Sequence, residues 1–558
     1  MTWKSEANPM FRNSLSETIF NQKYRHEGAE TWERLSALLV SSVCKDRLSK
    51  DDLRDLTTAI TEMKFIPGGR YLYYTGRPVK FYNNCYLLRA EEDTREDWAN
   101  LSWKSESCLM TGGGIGIDYS RYRASGSVIR RTGGQASGPI PKMKMINEIG
   151  RHVMQGGSRR SAIYASLAWD HPDAEEFLHV KDWYSQIIPG TDVSLGQVRE
   201  KDFNFPAPLD MTNVSLNYDT NWVLKAMQGD FGSTFEKNVH QAMMTGEPGF
   251  SFNFFDKENE TLRNACTEVT SEDDSDVCNL GSINLSRVDS ISEFARLVEL
   301  GTKFLLCGTL EADLPYDKVK KTREKNRRLG LGLMGIHEWL LKRGYRYEFN
   351  DELRNYMVIY KRVSDEVSRK EADRLGISRP VANRSIAPTG SIGLLAGTTT
   401  GIEPVFAVAT KRRYLSGTDW HYQYTIDHVA QTMVDQGVDP ETIESATDLA
   451  SDFERRVKFQ ADMQDYVDMA ISSTCNLPEW GTEDNNEGLV RSVASILARY
   501  APRLRGFTFY PNGARGGQPL TSVPYKEAKE NLGTVFKEEV KTTVYDVCEL
   551  TSTGHCGS

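Results

Sequence analysis

The chain has 558 residues, of which 39% are hydrophobic and 26% charged, with a net charge of -9 at pH 7. This balance excludes a collagen-like or disordered chain and gives no basic field for extended nucleic-acid binding. A mean hydropathy of -0.50 and the lack of any apolar run of about 18 residues exclude a membrane span.

Residues 1–20 show neither the basic region nor the apolar stretch of a signal peptide, so a cytoplasmic setting is expected. Trp32, Leu35, Leu38, Leu39 and Val43 recur at helical spacing, and Leu53, Leu56, Ile60 and Met63 do so again behind the capping candidates Ser49 and Asp51. Residues 1–64 therefore read as a helical amino-terminal segment. From Phe65 onward short apolar runs alternate with glycine turns at Gly68-Gly69, Gly112-Gly113-Gly114, Gly133-Gly134 and Gly156-Gly157, an α/β texture. The runs 114–118, 278–285 and 391–395 read as strands or loops bordering a buried centre, and 351–374 as a helix. Residues 525–558, rich in Lys and Glu, read as a mobile tail. The α/β body then occupies 65–524.

Nine cysteines, an odd number spread over the whole chain, argue for reduced or cycled thiols rather than a secreted disulfide framework. Cys85, Cys266 and Cys278 each lie beside polar or turn-forming residues, whereas Cys44, Cys108, Cys307 and Cys475 read as small core hydrophobes. In an extended segment Asn264, Cys266 and Glu268 would share one face, because strand side chains alternate with period two. There the amide could hold a hydroxyl, the carboxylate could move a proton, and the sulfur could act as nucleophile or hydrogen-atom abstractor. The stretch Pro388-Thr389-Gly390-Ser391-Ile392 offers backbone N–H groups and hydroxyls suited to a phosphate, and Gly156 to Ser161 reads as a flexible basic loop.

These motifs occur together with Asn326-Arg-Arg-Leu-Gly-Leu-Gly332 and Gly401-Ile-Glu-Pro404, and in this combination and order the sequence resembles the catalytic chain of ribonucleotide reductases. The resemblance runs from about Phe65 to Arg515. It implies a ten-stranded α/β barrel of two half-barrels, with a finger loop carrying a radical cysteine into the centre. Cys266 matches that cysteine, whose thiyl radical abstracts the ribose 3'-hydrogen. Cys85 and Cys278 match the pair that supplies the electrons replacing the 2'-hydroxyl. Asn264 would hold the ribose and Glu268 would act as base at the 3'-hydroxyl.

By the same resemblance, Asn84 and Gly114 lie beside the substrate ribose, and Pro388, Thr389, Gly390, Ser391 and Ile392 bind its phosphates, with diphosphates the preferred substrate. Arg159 falls in the loop that reports a bound deoxynucleotide or ATP effector to the substrate base. Asp93, with Glu92 as its neighbouring alternative, and Arg123 match effector-site positions, and the helical effector interface of relatives implies a homodimer. Cys548 and Cys556 resemble the tail pair that re-reduces the active-site disulfide and is itself reduced by thioredoxin or glutaredoxin. Seven residues separate them, wider than usual, and with His555 they leave a zinc half-site as the rival reading.

The chain passes almost directly into the barrel, so no ATP-cone regulatory domain is expected. Two radical sources stay open: adenosylcobalamin, favoured by the wording of the Cys278–Leu285 and Ala387–Ile392 motifs, and a ferritin-like dimetal small subunit acting through Tyr510. A glycyl-radical enzyme would need a glycine-radical loop near its end, and Gly513 and Gly554 lack that setting. A catalytically inactive nucleotide-binding relative would have lost part of the Cys85, Cys266, Cys278 and Glu268 set.

Overall fold

The computed structural model of the chain describes residues 11–153, 161–202, 205–416, 419–514 and 520–537. The amino-terminal segment is helical over Ser14–Ile19, Trp32–Cys44 and Lys50–Thr61, and Ser49 caps the last of these by accepting from the Asp52 N–H at 3.1 Å. Its apolar stripe of Trp32, Leu35, Leu39, Val43, Leu56 and Ile60 joins one core with the 21-residue helix Ile291–Glu311. Among the described residues no helix is long and apolar enough to cross a membrane.

The body is the α/β barrel of two halves that the resemblance implies. In the first half, strands Cys85–Leu88, Gly114–Asp118, Ile163–Ala168, Thr212–Tyr218 and Gly249–Phe252 are parallel neighbours in chain order. Helices such as Arg95–Met110 and Pro139–His152 cross between them, as parallel pairing requires. The antiparallel strands Asp276–Val277 and Gly506–Phe507 close this seven-stranded sheet at its edges. In the second half Leu280–Asn284 pairs in parallel with Gly330–Met334, flanked by the antiparallel strand Phe65–Pro67. Single parallel bridges, Leu331 to Arg384 and Ile386 to Ile471, carry this half onward. It is the more broken of the two because the chain leaves the sheet after Ile386 to form the Pro388 turn.

Each half has its own apolar core. A third, small cluster lies between them and contains Cys85, Cys278, Leu262, Ala265, Val269, Ala387 and Met469. There the candidate chemistry converges.

Two elements differ from their sequence reading. Residues Gly390–Ala396 are a two-turn helix, not a strand: Thr389 enters it with φ of 52° and Gly397 leaves it with φ of 63°, so left-handed residues bound it at both ends. Residues 525–537, assigned to the mobile tail, pack onto the body as the helix Tyr525–Glu530 and the strand Val535–Lys537, which pairs with 421–423. Buried Tyr525 and Ala528 hold this stretch down.

Candidate active site

The finger is a hairpin whose strands Leu262–Arg263 and Thr270–Ser271 pair antiparallel. Its turn carries Asn264 to Val269, so these residues do not share the face of one extended strand as their spacing suggested. Thr267 takes φ of 71° to reverse the chain, and its N–H donates to the Asn264 carbonyl at 3.0 Å. Asn264 Oδ1 accepts from the Val269 N–H at 2.9 Å. Cys266 thereby stands at the tip. Period two fails because tying the turn's backbone to its own side chain is locally better than continuing the ladder.

Why the finger lies where it does is written in the strand Gly114-Ile-Gly-Ile-Asp118. Ile115 and Ile117 point outward into the first core, so residues 114, 116 and 118 face the barrel interior. Asp118 accepts from Thr261 Oγ1 at 2.6 Å, at the finger's base. A Cβ on Gly116 would run into the Arg263 carbonyl, and one on Gly114 would stand 3.0 Å from Ala265 Cβ. The finger thus runs antiparallel along this strand, and position 116 must be glycine for its backbone to fit, with Gly114 keeping the Ala265 side chain from being crowded.

Buried charges hold the stem. Arg263 donates to Asn253 Oδ1 at 2.7 Å and to the Arg505 carbonyl at 2.8 Å, while Arg505 pairs with Glu260 at 3.0 Å and Thr270 donates to Glu260 at 2.6 Å. Burial pushes the Glu260 carboxyl up, but Arg505, Arg328 and Thr270 outweigh it and bring the carboxyl down to about 2. Burial, assisted by the Arg505 charge, lowers the Arg263 guanidinium to about 9. Sequence reading missed these residues, because Glu260 and Arg505 lie far apart in the chain and each looks like an ordinary surface charge.

Around the tip, burial separates the roles. Asn264, Glu268 and Cys278 are at most 1% exposed and Cys85 is 5% exposed, whereas Cys266 is half-buried. Asn264 Nδ2 and Glu268 Oε2 lie near one another, but neither makes a hydrogen bond of good geometry among the described residues. Two orphaned polar atoms beside a thiol mark where a ligand's polar groups belong. Burial pushes Glu268 up to about 8, helped by the Cys85 side chain and opposed by its own backbone and by the nearby Asn264 amide.

Cys85 begins its strand and Cys278 follows the antiparallel strand 276–277, which sets the two side by side. The Cys85 N–H donates to Cys278 Sγ at 2.9 Å, the Cys278 N–H to the Cys85 carbonyl at 3.1 Å, and the Asn83 amide to the Cys278 carbonyl. Burial, and after it a hydrogen bond with Cys85, hold the Cys278 thiol well above its ordinary range, so it stays protonated.

Asn84 is half-buried, and its carbonyl accepts from the Gly114 N–H at 2.8 Å. Ala387 lies in the same small cluster as the two cysteines, and the Ala470 N–H donates to the Glu268 carbonyl at 2.8 Å beside the Ile386 to Ile471 bridge. The Pro388–Ile392 stretch therefore leaves from the edge of this cluster, with Gly390 and Ser391 exposed. Thr389 Oγ1 pins it by accepting from the Gly401 N–H at 2.8 Å.

Asp93 and Arg123 come together elsewhere, joined by an ion pair of 2.6 Å and braced by Trp98, whose Nε1 donates to Asp93 at 2.9 Å. They follow the carboxyl ends of the two strands that Cys85 and Gly114 begin, so the length of those strands separates them from the cysteines. Tyr510 is half-buried on the strand Phe509–Pro511, in register with Asn476. Arg159, Cys548 and Cys556 lie outside the described residues. Cys44, Cys108, Cys307 and Cys475 are all buried.

A family model described as the ribonucleotide reductase barrel domain matches residues 83–203, 214–365 and 381–499. A vitamin B12-dependent ribonucleoside-diphosphate reductase of Mycobacterium tuberculosis is 27% identical over 528 residues, spanning 86% of this chain and 75% of its own. One from Thermoplasma acidophilum is 26% identical over 516 residues, spanning 83% and 65%. The ribonucleoside-diphosphate reductase subunit alpha of a Synechocystis species is 24% identical over 337 residues, spanning 52% and 42%.

Proposed function

The chain belongs to the ribonucleotide reductase family, and from that premise we propose that it converts ribonucleoside diphosphates to 2'-deoxyribonucleoside diphosphates around Cys266. The observation that carries this reading is the half-exposed Cys266 thiol set between two orphaned polar atoms, Asn264 Nδ2 and Glu268 Oε2, next to the paired thiols of Cys85 and Cys278.

A thiyl radical at Cys266 takes the ribose 3'-hydrogen, and Asn264 Nδ2 orients the sugar by donating to a ribose hydroxyl. Glu268, as the carboxylate, takes the 3'-hydroxyl proton and gives it back when C3' regains its hydrogen, a shuttle suited to a carboxyl raised to about 8. The 2'-hydroxyl leaves as water with a proton from one thiol of the Cys85 and Cys278 pair. The two thiols together give up two electrons and two hydrogens and become a disulfide, and Cys266 returns its hydrogen to C3'. One ribonucleotide and two thiols thus yield one deoxyribonucleotide, one disulfide and one water. A Cys278 thiol held protonated by burial suits this work, because the pair must deliver hydrogen as well as electrons.

The Pro388–Ile392 turn would hold the diphosphate, with Asn84 and Gly114 beside the ribose. Asp93 and Arg123 would serve a nucleotide effector, which Arg159 would report to the substrate base. Cys548 and Cys556 would collect the disulfide and pass it to thioredoxin or glutaredoxin in a reducing, cytoplasmic setting, within a homodimer.

For the radical source we favour adenosylcobalamin, because the Mycobacterium and Thermoplasma relatives are vitamin B12-dependent reductases. The finger tip fits it: Cys266 is the most exposed of the five catalytic candidates, and the small residues Ala265 and Thr267 would border the group. When bound, it supplies an organic radical equivalent beside the Cys266 sulfur. Reduction of CDP and CTP with an effector and dithiothreitol, with and without adenosylcobalamin, tests the proposal. Turnover of CDP that requires the cofactor is expected. Turnover only with an added ferritin-like subunit would replace the cofactor and make Tyr510 the residue to mutate, and preference for CTP would overturn the diphosphate assignment.

A further inference from the structure

The amino-terminal segment runs antiparallel along the whole helix that follows the phosphate turn. At the helix's carboxyl end Arg12 Nη1 donates to the Gly397 carbonyl at 3.1 Å, and at its middle Ser16 Oγ donates to the Leu394 carbonyl at 2.9 Å. At its amino end Lys23 Nζ reaches Ser391 Oγ at 3.3 Å. This strap is anchored, not loose. Arg12 pairs at 2.6 Å with Glu338, which is 2% exposed and also bound by Lys342, and Phe11, Ile19, Phe20 and Tyr24 are buried. Over Phe20–Tyr24 the backbone makes one π-helical turn, closed by the Arg25 N–H on the Phe20 carbonyl at 3.0 Å. Such a turn inserts an extra residue and re-aims the side chains it carries, and it recurs at functional sites.

Lys23 is exposed, and among the described residues its ammonium group makes no ion pair with a carboxylate; the partner it has is the neutral Ser391 hydroxyl. The next residue, Tyr24, sets its hydroxyl 3.0 Å from where a Cβ on Gly69 would stand, and the adjoining Gly68 faces the Asn84 amide. The strap therefore touches both the phosphate turn and the wall beside the ribose. Asn264 Nδ2 and Glu268 Oε2, on the finger beside the small cluster that contains Ala387 at the start of this turn, are buried without a hydrogen bond among the described residues, which independently marks that cluster as ligand-binding.

We propose that Lys23 pairs with the terminal phosphate of the substrate and sets the phosphate length this chain accepts. The inference rests on reading the Pro388–Ile392 turn as the substrate phosphate site. Backbone N–H groups at the turn offer partial charges only, whereas Lys23 adds a full positive charge beyond Ser391, where the second phosphate of a diphosphate would extend.

The test is steady-state kinetics on CMP, CDP and CTP with the full chain, its radical source and effector, comparing wild type, K23A and K23R. For K23A the preference for CDP over CMP is expected to fall about ten-fold, through KM more than kcat, with K23R keeping most of it. Added salt should raise the CDP KM of wild type more than that of K23A, because an exposed pairing is screened. A CDP preference untouched in K23A overturns the Lys23 assignment alone. A wild-type chain that does not distinguish CDP from CMP overturns the phosphate-turn reading, and Lys23 with it.

Discussion

Two pairs of buried thiols can be compared within this one chain. Cys44 and Cys307 bring the helices Trp32–Cys44 and Ile291–Glu311 together, and Cys85 and Cys278 join two strands of the barrel. In both pairs the side chains share a hydrogen bond, and one thiol of each is held well above its ordinary range, Cys44 by that bond and then by burial, Cys278 by burial and then by its bond. Their surroundings differ. Cys44 and Cys307 sit among Leu, Val and Phe side chains of the larger core, while Cys85 and Cys278 share a small cluster with the finger tip and the start of the phosphate turn, beside a carboxyl raised to about 8. Closeness and burial are common to both pairs. What distinguishes the second is the raised Glu268 carboxyl and the unpartnered Asn264 amide nitrogen nearby, which is why the redox role is proposed for it alone.

Breaking the pairs one at a time sharpens this comparison most. C278S should lower turnover on the order of 10⁴-fold, since groups acting as a unit fail together. C44A and C307A should leave turnover within about two-fold and lower unfolding stability by about 1–3 kcal/mol in urea titrations. A large loss of activity in C44A with normal stability would erase the distinction.

Removing the proton-moving group comes next. E268Q should cost on the order of 10²–10⁴-fold in kcat, and kcat/KM of the wild type should rise with pH up to about 8 as Glu268 loses its proton. Stability carries the same signature. A carboxyl raised in the folded state binds more protons there than when unfolded, so wild-type stability should decline as pH rises from its ordinary value near 4.5 to about 8. Urea unfolding at pH 5.5 and 8.5 should show that decline in wild type and a weaker one in E268Q.

The smallest expected effect concerns the fit of the finger. G116A forces the Arg263 carbonyl away and should cost about 1–3 kcal/mol of stability together with turnover, measured by urea unfolding and the reduction assay. G134A, at the start of the exposed two-residue strand Gly134–Gln135 with only Thr132 near, should change stability by less than about 0.5 kcal/mol.

Much of this arrangement was legible in the sequence for a local reason. The alternation in Gly114-Ile-Gly-Ile-Asp118 sorts core-facing from finger-facing positions within five residues, and Asn264, Cys266 and Glu268 are close enough in the chain to be read together. Their geometry was not legible, because a turn that bonds Asn264 to Val269 overrides strand periodicity. Nor was the helix Gly390–Ala396, whose apolar run looks like a strand until left-handed Thr389 and Gly397 bound it. Pairs distant in sequence left no signal at all. Glu260 with Arg505, Thr261 with Asp118 and Lys23 with Ser391 are created only when the fold closes.

The most direct measurement is a disulfide map after one turnover without external reductant. The reduced chain, carrying C548S and C556S so that the tail cannot collect the disulfide, is given CDP, effector and adenosylcobalamin, quenched in acid, alkylated and digested. One disulfide linking the Cys85 and Cys278 peptides for each deoxynucleotide formed, with Cys44 and Cys307 alkylated as thiols, is the predicted result. Deoxynucleotide formed while Cys85 and Cys278 both remain alkylatable would contradict it.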